Sequence, residues 1–145
     1  MLPKKTKYAI KALSFLARNY AENKPVRIND IADKERIPHK FLEAILLEMR
    51  KNGILGSKMG ANGGYYLLKS PSEIFLSAII RLTGGPIALV PCVSLNFYEE
   101  CVECKTPDLC GLREVMEEVR DASISILSKT SIADLIQRES RLSPE

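Results

Sequence analysis

The stretch Ile37-Pro38-His39-Lys40-Phe41-Leu42-Glu43-Ala44-Ile45-Leu46-Leu47-Glu48-Met49-Arg50 decides how the rest of the chain is read. Its apolar residues fall at 41, 42, 45, 46 and 49, which is one face of a helix. Pro38 suits the first turn of that helix, and Gly53 supplies a stop after it. Upstream, Ile28-Asn29-Asp30-Ile31-Ala32 opens a shorter helix for which Asn29 is a natural N-cap, and Arg36-Ile37-Pro38 breaks it. Downstream, the runs Ile54-Leu55-Gly56-Ser57-Lys58 and Tyr65-Tyr66-Leu67-Leu68 bracket Met59-Gly60-Ala61-Asn62-Gly63-Gly64, the signature of a β-hairpin. Two helices at a tight turn and then a hairpin predict a winged helix-turn-helix, which presents its second helix to a DNA major groove. An ordinary helical hairpin followed by a β-ribbon fits the same pattern without any nucleic-acid role.

Composition agrees with one compact domain and a protruding dimerisation element. The 145 residues are 46% hydrophobic and 27% charged, enough for both a core and a solvated surface. No apolar run approaches the ~20 residues of a membrane span. Met1-Leu2-Pro3-Lys4-Lys5-Thr6-Lys7 lacks the apolar stretch that follows in a signal peptide, so a cytoplasmic location with reduced cysteines is expected. The net charge of +3 is split unevenly. Residues 1–69 carry 14 Lys and Arg against 6 Asp and Glu, a net +8, and residues 70–145 carry 7 against 12, a net −5. A basic front half points to a polyanion on one side of the molecule.

The expected fold is mainly α with one small β-hairpin: a winged helix-turn-helix region over 1–83, a cysteine-rich sensor loop over 84–111, and a long dimerisation helix with a final helix over 112–145. Thr6 is placed to cap a first helix reaching about Asn23, whose stripe of Tyr8, Ala9, Ala12, Leu13, Leu16, Ala17 and Tyr20 packs behind the recognition helix. Ser70-Pro71-Ser72-Glu73 opens a helix through Thr83 that buries Ile74, Phe75, Ala78, Ile79 and Leu82, and Gly84-Gly85-Pro86 ends it. A short strand is expected within 87–95. Periodicity returns at Leu112, Val115, Met116, Val119, Ala122, Ile126 and Leu127, with steps close to those of a two-helix seam. Leu112, Val115, Met116, Val119 and Ile126 are thus the expected homodimer contacts. Ser131 and Asp134 form a capping box for a last helix to about Glu139, with a loose tail beyond Ser140.

The N-terminal end of a recognition helix is where base edges are met, which makes His39, Lys40 and Glu43 candidate DNA-binding residues beside Ala44. Lys40 suits guanine, Glu43 suits cytosine N4, and His39 suits phosphate or base. Asn29, at the opening of the shorter helix, joins this set. In the wing, Gly63 and Gly64 permit close backbone approach, and Lys58 and Asn62 are placed to reach phosphate or the minor groove. Thr6 and Lys7 stand at a helix start that also suits phosphate.

All four cysteines, Cys92, Cys101, Cys104 and Cys110, lie within nineteen residues. In a chain expected to be cytosolic, such a cluster argues for metal rather than disulfides. A four-thiolate structural zinc and metal-free, redox-sensing thiols remain open on this pattern. A catalytic Cys-x-x-Cys wants a thioredoxin-like βαβ context, which is absent, and no general base or cofactor motif supports an oxidoreductase. An enzyme is therefore not expected.

Tyr8-Ala9-Ile10-Lys11-Ala12-Leu13, Ile28-Asn29-Asp30-Ile31-Ala32, Ile37-Pro38-His39-Lys40-Phe41-Leu42 and Gly60-Ala61-Asn62-Gly63-Gly64-Tyr65, in that order and followed by clustered cysteines, resemble the bacterial winged-helix transcription regulator family of IscR, NsrR and CymR. The resemblance covers nearly the whole chain. It implies a dimeric DNA-binding regulator, most often a repressor, with an iron–sulfur cluster ([2Fe-2S] or [4Fe-4S]) on its cysteines. In the family's cluster binders, one early cysteine is followed by two with five residues between them. Cys92, Cys104 and Cys110 match that scheme with a longer first gap, and Cys101 is additional. Some relatives place a histidine ligand three residues after the last cysteine. Arg113 stands there and cannot ligate, so Cys101 is the expected fourth ligand of an all-thiolate site. A partner-chain acid near the N-terminus, used by some relatives, is not matched by Thr6 and Lys7. Met59 and Ala44 replace an Arg and a base-reading Gln found in relatives, so the operator sequence need not be theirs. The resemblance also implies how the sites couple: changes in the cluster reshape loop 92–110 at the base of the dimer helix and so respace recognition helices set about 34–36 Å apart. The cysteine-metabolism branch implies the alternative, a cluster-free repressor that senses a metabolite or a partner protein.

Overall fold

The structure, a computed structural model, describes residues 2–22 and 24–144. The core is built chiefly by the first and third helices, and among the described residues there are six α-helices and one two-stranded antiparallel sheet. They are α1 Lys4–Arg18, α2 Ile28–Glu35, α3 His39–Lys51, β1 Leu55–Lys58, β2 Gly64–Leu67, α4 Leu76–Thr83, α5 Gly111–Leu127 and α6 Ile132–Leu142. Short 3-10 turns occupy Pro71–Glu73, Pro91–Val93 and Pro107–Leu109, each opened by a proline whose fixed φ and missing N–H suit a first turn.

The recognition helix follows the pattern expected of it at four of the five apolar positions, while Phe41 is 42% exposed and edge-on to Tyr8. Leu42, Ile45, Leu46 and Met49 are buried against Ala9, Ala12, Leu13 and Leu16 of α1 and against Ile31 of α2. Pro38 is the residue before α3 rather than in its first turn. At the other end, the Gly53 N–H donates to Arg50 O at 3.1 Å and the Ile54 N–H to Met49 O at 3.0 Å. That is a Schellman closure, and it demands the left-handed φ of +75° that Gly53 adopts. Arg36 plays the same part after α2 at φ 54°, the one non-glycine residue at positive φ among the described residues. The hairpin pairs Leu55 with Leu67 and Lys58 with Gly64, so Leu55 and Leu67 both point into the core.

Several local readings are corrected by tertiary partners. Asn29 does not cap α2: the N-cap is Arg27, and Asn29 stands exposed in the first turn. Thr6 does not cap α1, which starts two residues earlier after Pro3. It is fully buried, 2.9 Å from the Thr83 hydroxyl, where the start of α1 crosses the end of α4. Tyr8 is half-buried, edge-on to Phe41 at 5.5 Å, and Tyr20 lies outside the core because α1 ends at Arg18. Asn23, the expected end of that helix, is outside the described residues.

No single helix spans 70–83. Phe75 is extended and pairs with Ser131, with Leu76 N–H donating to Thr130 O and Ile132 N–H to Ile74 O, both at 2.9 Å. The helix therefore starts at Leu76 and buries Ser77, Ile79, Ile80 and Thr83, while Phe75 and Ala78 are exposed. The strand expected within 87–95 is a 3-10 turn over Pro91–Val93.

The capping box forms as read: the Asp134 N–H donates to Ser131 Oγ at 3.2 Å and the Ser131 N–H to Asp134 Oδ2 at 2.8 Å. The Ser131 N–H first, and then the Ser131 hydroxyl donating to the same Oδ2 at 3.0 Å, hold the Asp134 carboxyl below its ordinary range. The helix they start reaches Leu142, past the expected end at Glu139, because it packs along α1. Arg18 fastens it through an ion pair with Glu139 and also meets Glu35 of α2 at 3.5 Å. No helix among the described residues is long and apolar enough to cross a membrane.

Candidate functional site

The face expected to meet DNA is built by α3 and the hairpin wing. His39, Lys40, Glu43 and Ala44 are all exposed on the first turns of α3. No side chain caps that end, so its free N–H groups point outward as a partial positive charge. Lys58 ends β1, Met59 at the tip is 93% exposed, and Asn62 is exposed beside them. A crevice of about 650 Å³ between the wing and α2 is lined by Lys58 and Asn62 together with Lys24, Arg27 and Asp30. Arg27 also hydrogen-bonds the Ala61 carbonyl, tying the wing turn to the start of α2. Lys24 and Arg27 were not visible as site residues in the sequence because they occupy an irregular link. Their only signal there is a pair of basic residues just ahead of the first of the two helices.

The wing glycines have packing reasons of their own. A Cβ at Gly63 would sit 2.1 Å from the Lys58 carbonyl oxygen. One at Gly64 would sit 2.4 Å from Val26 O, where Val26 and Tyr65 exchange backbone bonds of 2.8 Å. Both glycines let the wing close on itself and on the link before α2, whatever they meet outside.

The second region gathers the cysteines. Cys92 is on the Pro91–Val93 turn, Cys101 and Cys104 are in the loop, and Cys110 is the N-cap of α5, its Sγ accepting the Arg113 N–H at 3.4 Å. All four thiols are free and all line one mostly apolar cavity of about 500 Å³, walled also by Pro91, Pro107, Leu112 and Arg113. Cys104 is half-buried, and its thiol is raised above the ordinary range. Desolvation is the first cause, opposed by a bond with the Thr106 backbone and reinforced by Cys110 and Cys101 nearby. Among the described residues no three His, Cys, Asp or Glu side chains converge in ligand geometry. The donor set nonetheless fits a thiolate-held metal group in two respects. Four soft ligands share one cavity wall, and Arg113, which lines the same cavity, has a buried Nε with no hydrogen-bond partner.

From this cavity rises α5, whose two faces differ. Arg120 donates to Val93 O at 2.8 Å and so ties the inner face to the Cys92 turn; Met116, one turn earlier, is half-buried on the same side. The outer face carries Leu112, Val115, Val119, Ala122 and Ile126 in alternating steps of three and four, and all are exposed, Leu112 at 63% and Ile126 at 65%. Met116 thus stands apart from the four other residues expected at a dimer contact.

A winged helix-turn-helix with a basic wing crevice and a long outlying helix defines a transcriptional regulator of the DNA-binding class. The chain belongs to the Rrf2 family of iron-dependent transcriptional regulators, which it matches over residues 2–138. It is 37% identical over 138 residues to an rrf2-like HTH-type transcriptional regulator of Rhodobacter capsulatus, a match spanning 94% of this chain and 92% of that one. It is 34% identical to the HTH-type transcriptional regulator NsrR of Geobacillus kaustophilus, over 94% and 90% of the two chains. Among solved structures, it is similar to CymR (YrzC), the global cysteine regulator of B. subtilis, with a TM-score of 0.78 at 29% identity over 95% and 97% of the chains. It is also similar to T. potens IscR, with a TM-score of 0.77 at 26% identity over 100% and 92%. Family and relatives are named as regulators of transcription, not enzymes.

Proposed function

We propose that the chain acts as a homodimeric repressor that binds double-stranded operator DNA through α3 and the wing, and that Cys92, Cys101, Cys104 and Cys110 hold an iron–sulfur cluster governing that binding. One observation carries the reading: four thiols otherwise spread over nineteen residues line a single cavity at the foot of α5. The cluster, when bound, supplies a one-electron centre sensitive to oxygen and nitric oxide. The rest falls to the protein. Cys110 caps α5 and Arg120 ties that helix to the Cys92 turn, so a movement of the thiols is passed to α5. If α5 pairs with its copy, the spacing of the two α3 helices follows. Protein purified without oxygen is expected to be brown, with iron and sulfide in comparable amounts and an operator affinity that changes when the colour is lost.

A cluster-free regulator is the second reading, favoured by the lack of converged ligands among the described residues and by the likeness to CymR. Colourless protein that binds its operator identically in all redox conditions selects it, and zinc found by metal analysis in that protein selects a structural four-thiolate site.

The DNA face makes its own prediction. Lys40 on α3 and Lys58 on the wing differ in expected effect: Lys40→Ala reduces discrimination between operator and mismatched DNA by about 1–3 kcal/mol. Lys58→Ala instead weakens binding to all sequences alike and lowers the slope of log affinity against log salt by about 1. Titrations of operator and mixed-sequence duplexes at several salt concentrations separate the two. Equal effects on both duplexes for Lys40→Ala would remove it from the base-reading set.

A further inference from the structure

Arg113 occupies the first turn of α5, three residues after Cys110, and joins the thiol cavity in two ways. Its backbone N–H donates to Cys110 Sγ, and the residue forms part of the cavity wall. Arg113 also borders a second, adjoining cavity of about 380 Å³, lined by Asp108, Glu114 and Glu117. It meets Asp108 at 3.6 Å and Glu117 at 3.5 Å, but Asp108 is almost fully exposed and that contact is weak. Nε is the telling atom. It is buried, and although Glu117 lies 3.5 Å away, no hydrogen bond is made.

A buried guanidinium N–H without an acceptor is costly, and native proteins rarely leave one so. A neutral thiol is a weak acceptor, whereas a metal-bound thiolate sulfur is a good one. Four thiolates would also add to the negative charge of Glu99, Glu100 and Glu103 on the same wall. Among the described residues lining that cavity, Arg113 is the one cation. We propose that Arg113 is a positioning residue for the bound group: its Nε–H donates to a cysteine sulfur once the thiols are ligands, and its charge sets how readily the group accepts an electron. Glu117 opposes it from the other cavity. This inference rests on the cluster reading above.

A cation and a hydrogen bond at the sulfurs favour the more negative, reduced state, so removing them lowers the reduction potential. The test is a redox titration of the anaerobically purified full chain, followed by visible absorbance and by the electron paramagnetic resonance of the reduced form. Arg113→Met, which keeps an unbranched apolar stem and removes the charge, is expected to lower the ratio of reduced to oxidised cluster at a given potential about tenfold, a downward shift of about 59 mV for one electron. Arg113→Lys recovers part of that shift. Glu117→Gln, on a partly exposed site, moves the potential the other way by releasing the guanidinium, and tests the proposal even if Arg113→Met fails to fold. Loss of the cluster in Arg113→Met with retention in Arg113→Lys supports the proposal as well. A parent-like potential in Arg113→Met or in Glu117→Gln overturns it and leaves the cluster reading standing, as does loss of the cluster in both Arg113 variants. A colourless parent ends both.

Discussion

Replacing Cys104 or Cys110 by alanine is expected to abolish the visible absorbance of the anaerobically purified protein and to shift operator affinity, with residues 1–69 still folded. The two positions are singled out by geometry. Cys110 is both a wall of the thiol cavity and the N-cap of α5, so its loss would remove one of the proposed ligands and loosen the first turn of the helix proposed to carry the signal. Losing the cap alone costs on the order of 1 kcal/mol, too little to unfold the domain. Cys104 is half-buried, and its thiol is held above the ordinary range, first by desolvation and then by Cys110 and Cys101. A thiol so raised keeps its proton until a metal displaces it, so the proposed cluster loading would release protons and weaken as pH falls. Cys101→Ala discriminates between ligand sets. Survival of an unaltered cluster makes Cys92, Cys104 and Cys110 the three protein ligands, and loss makes the site all-thiolate. If all four alanine variants bind operator like the parent in every redox condition, the cysteines are not the sensor.

What was legible in the sequence is what neighbouring residues decide among themselves. The apolar face of α3, the left-handed Gly53 after it, the hairpin and the Ser131–Asp134 box are local devices, and each appears where its residues place it. The misreadings share a different cause. Thr6 and Asn29 have the chemistry of caps, but Thr6 is buried against Thr83, 77 residues away, and the backbone of Arg27 starts α2. Phe75 lies in a plausible helix pattern, yet its backbone pairs with Ser131. The reach of α6 to Leu142 depends on Arg18, 121 residues before Glu139. A propensity scale sees none of these partners.

The candidate sites divide in the same way. Exposure of His39, Lys40 and Glu43 follows from the helical period of α3, since the opposite face is committed to the core. Arg27 and Lys24 enter the wing crevice only because the chain folds the link before α2 beneath the wing. Residues 84–111 have no period to read, and that four thiols line one cavity there is a property of the folded loop alone. In α5 the stripe read from the sequence contains two faces. Arg120, by reaching Val93, turns Met116 inward and leaves Leu112, Val115, Val119, Ala122 and Ile126 outward.

The double substitution Val115→Glu/Val119→Glu is expected to give a monomer that no longer binds operator at concentrations where the parent is fully bound. Neither residue supports the fold of one chain: α5 has no fully buried residue, and the two valines are exposed on its outer face. Their steps, with Leu112, Ala122 and Ile126, are those of a helix seam. An exposed apolar strip of this regularity marks an interaction surface, and in a symmetric dimer each residue meets the partner's copy of the same strip. Two substitutions therefore place four carboxylates in one apolar contact. An unpaired buried charge costs several kcal/mol, and each ~1.4 kcal/mol is a factor of ten, so the dimer dissociation constant rises by at least about a thousandfold. Operator binding falls with it because one recognition helix holds half a site. Met116→Glu is the internal control. Half-buried on the face that carries Arg120, it should lower thermal stability more than the double variant does. Light scattering and operator titration at micromolar concentration decide the matter: a parent that is already monomeric, or a double variant that still dimerises, removes α5 as the route from the thiols to the DNA.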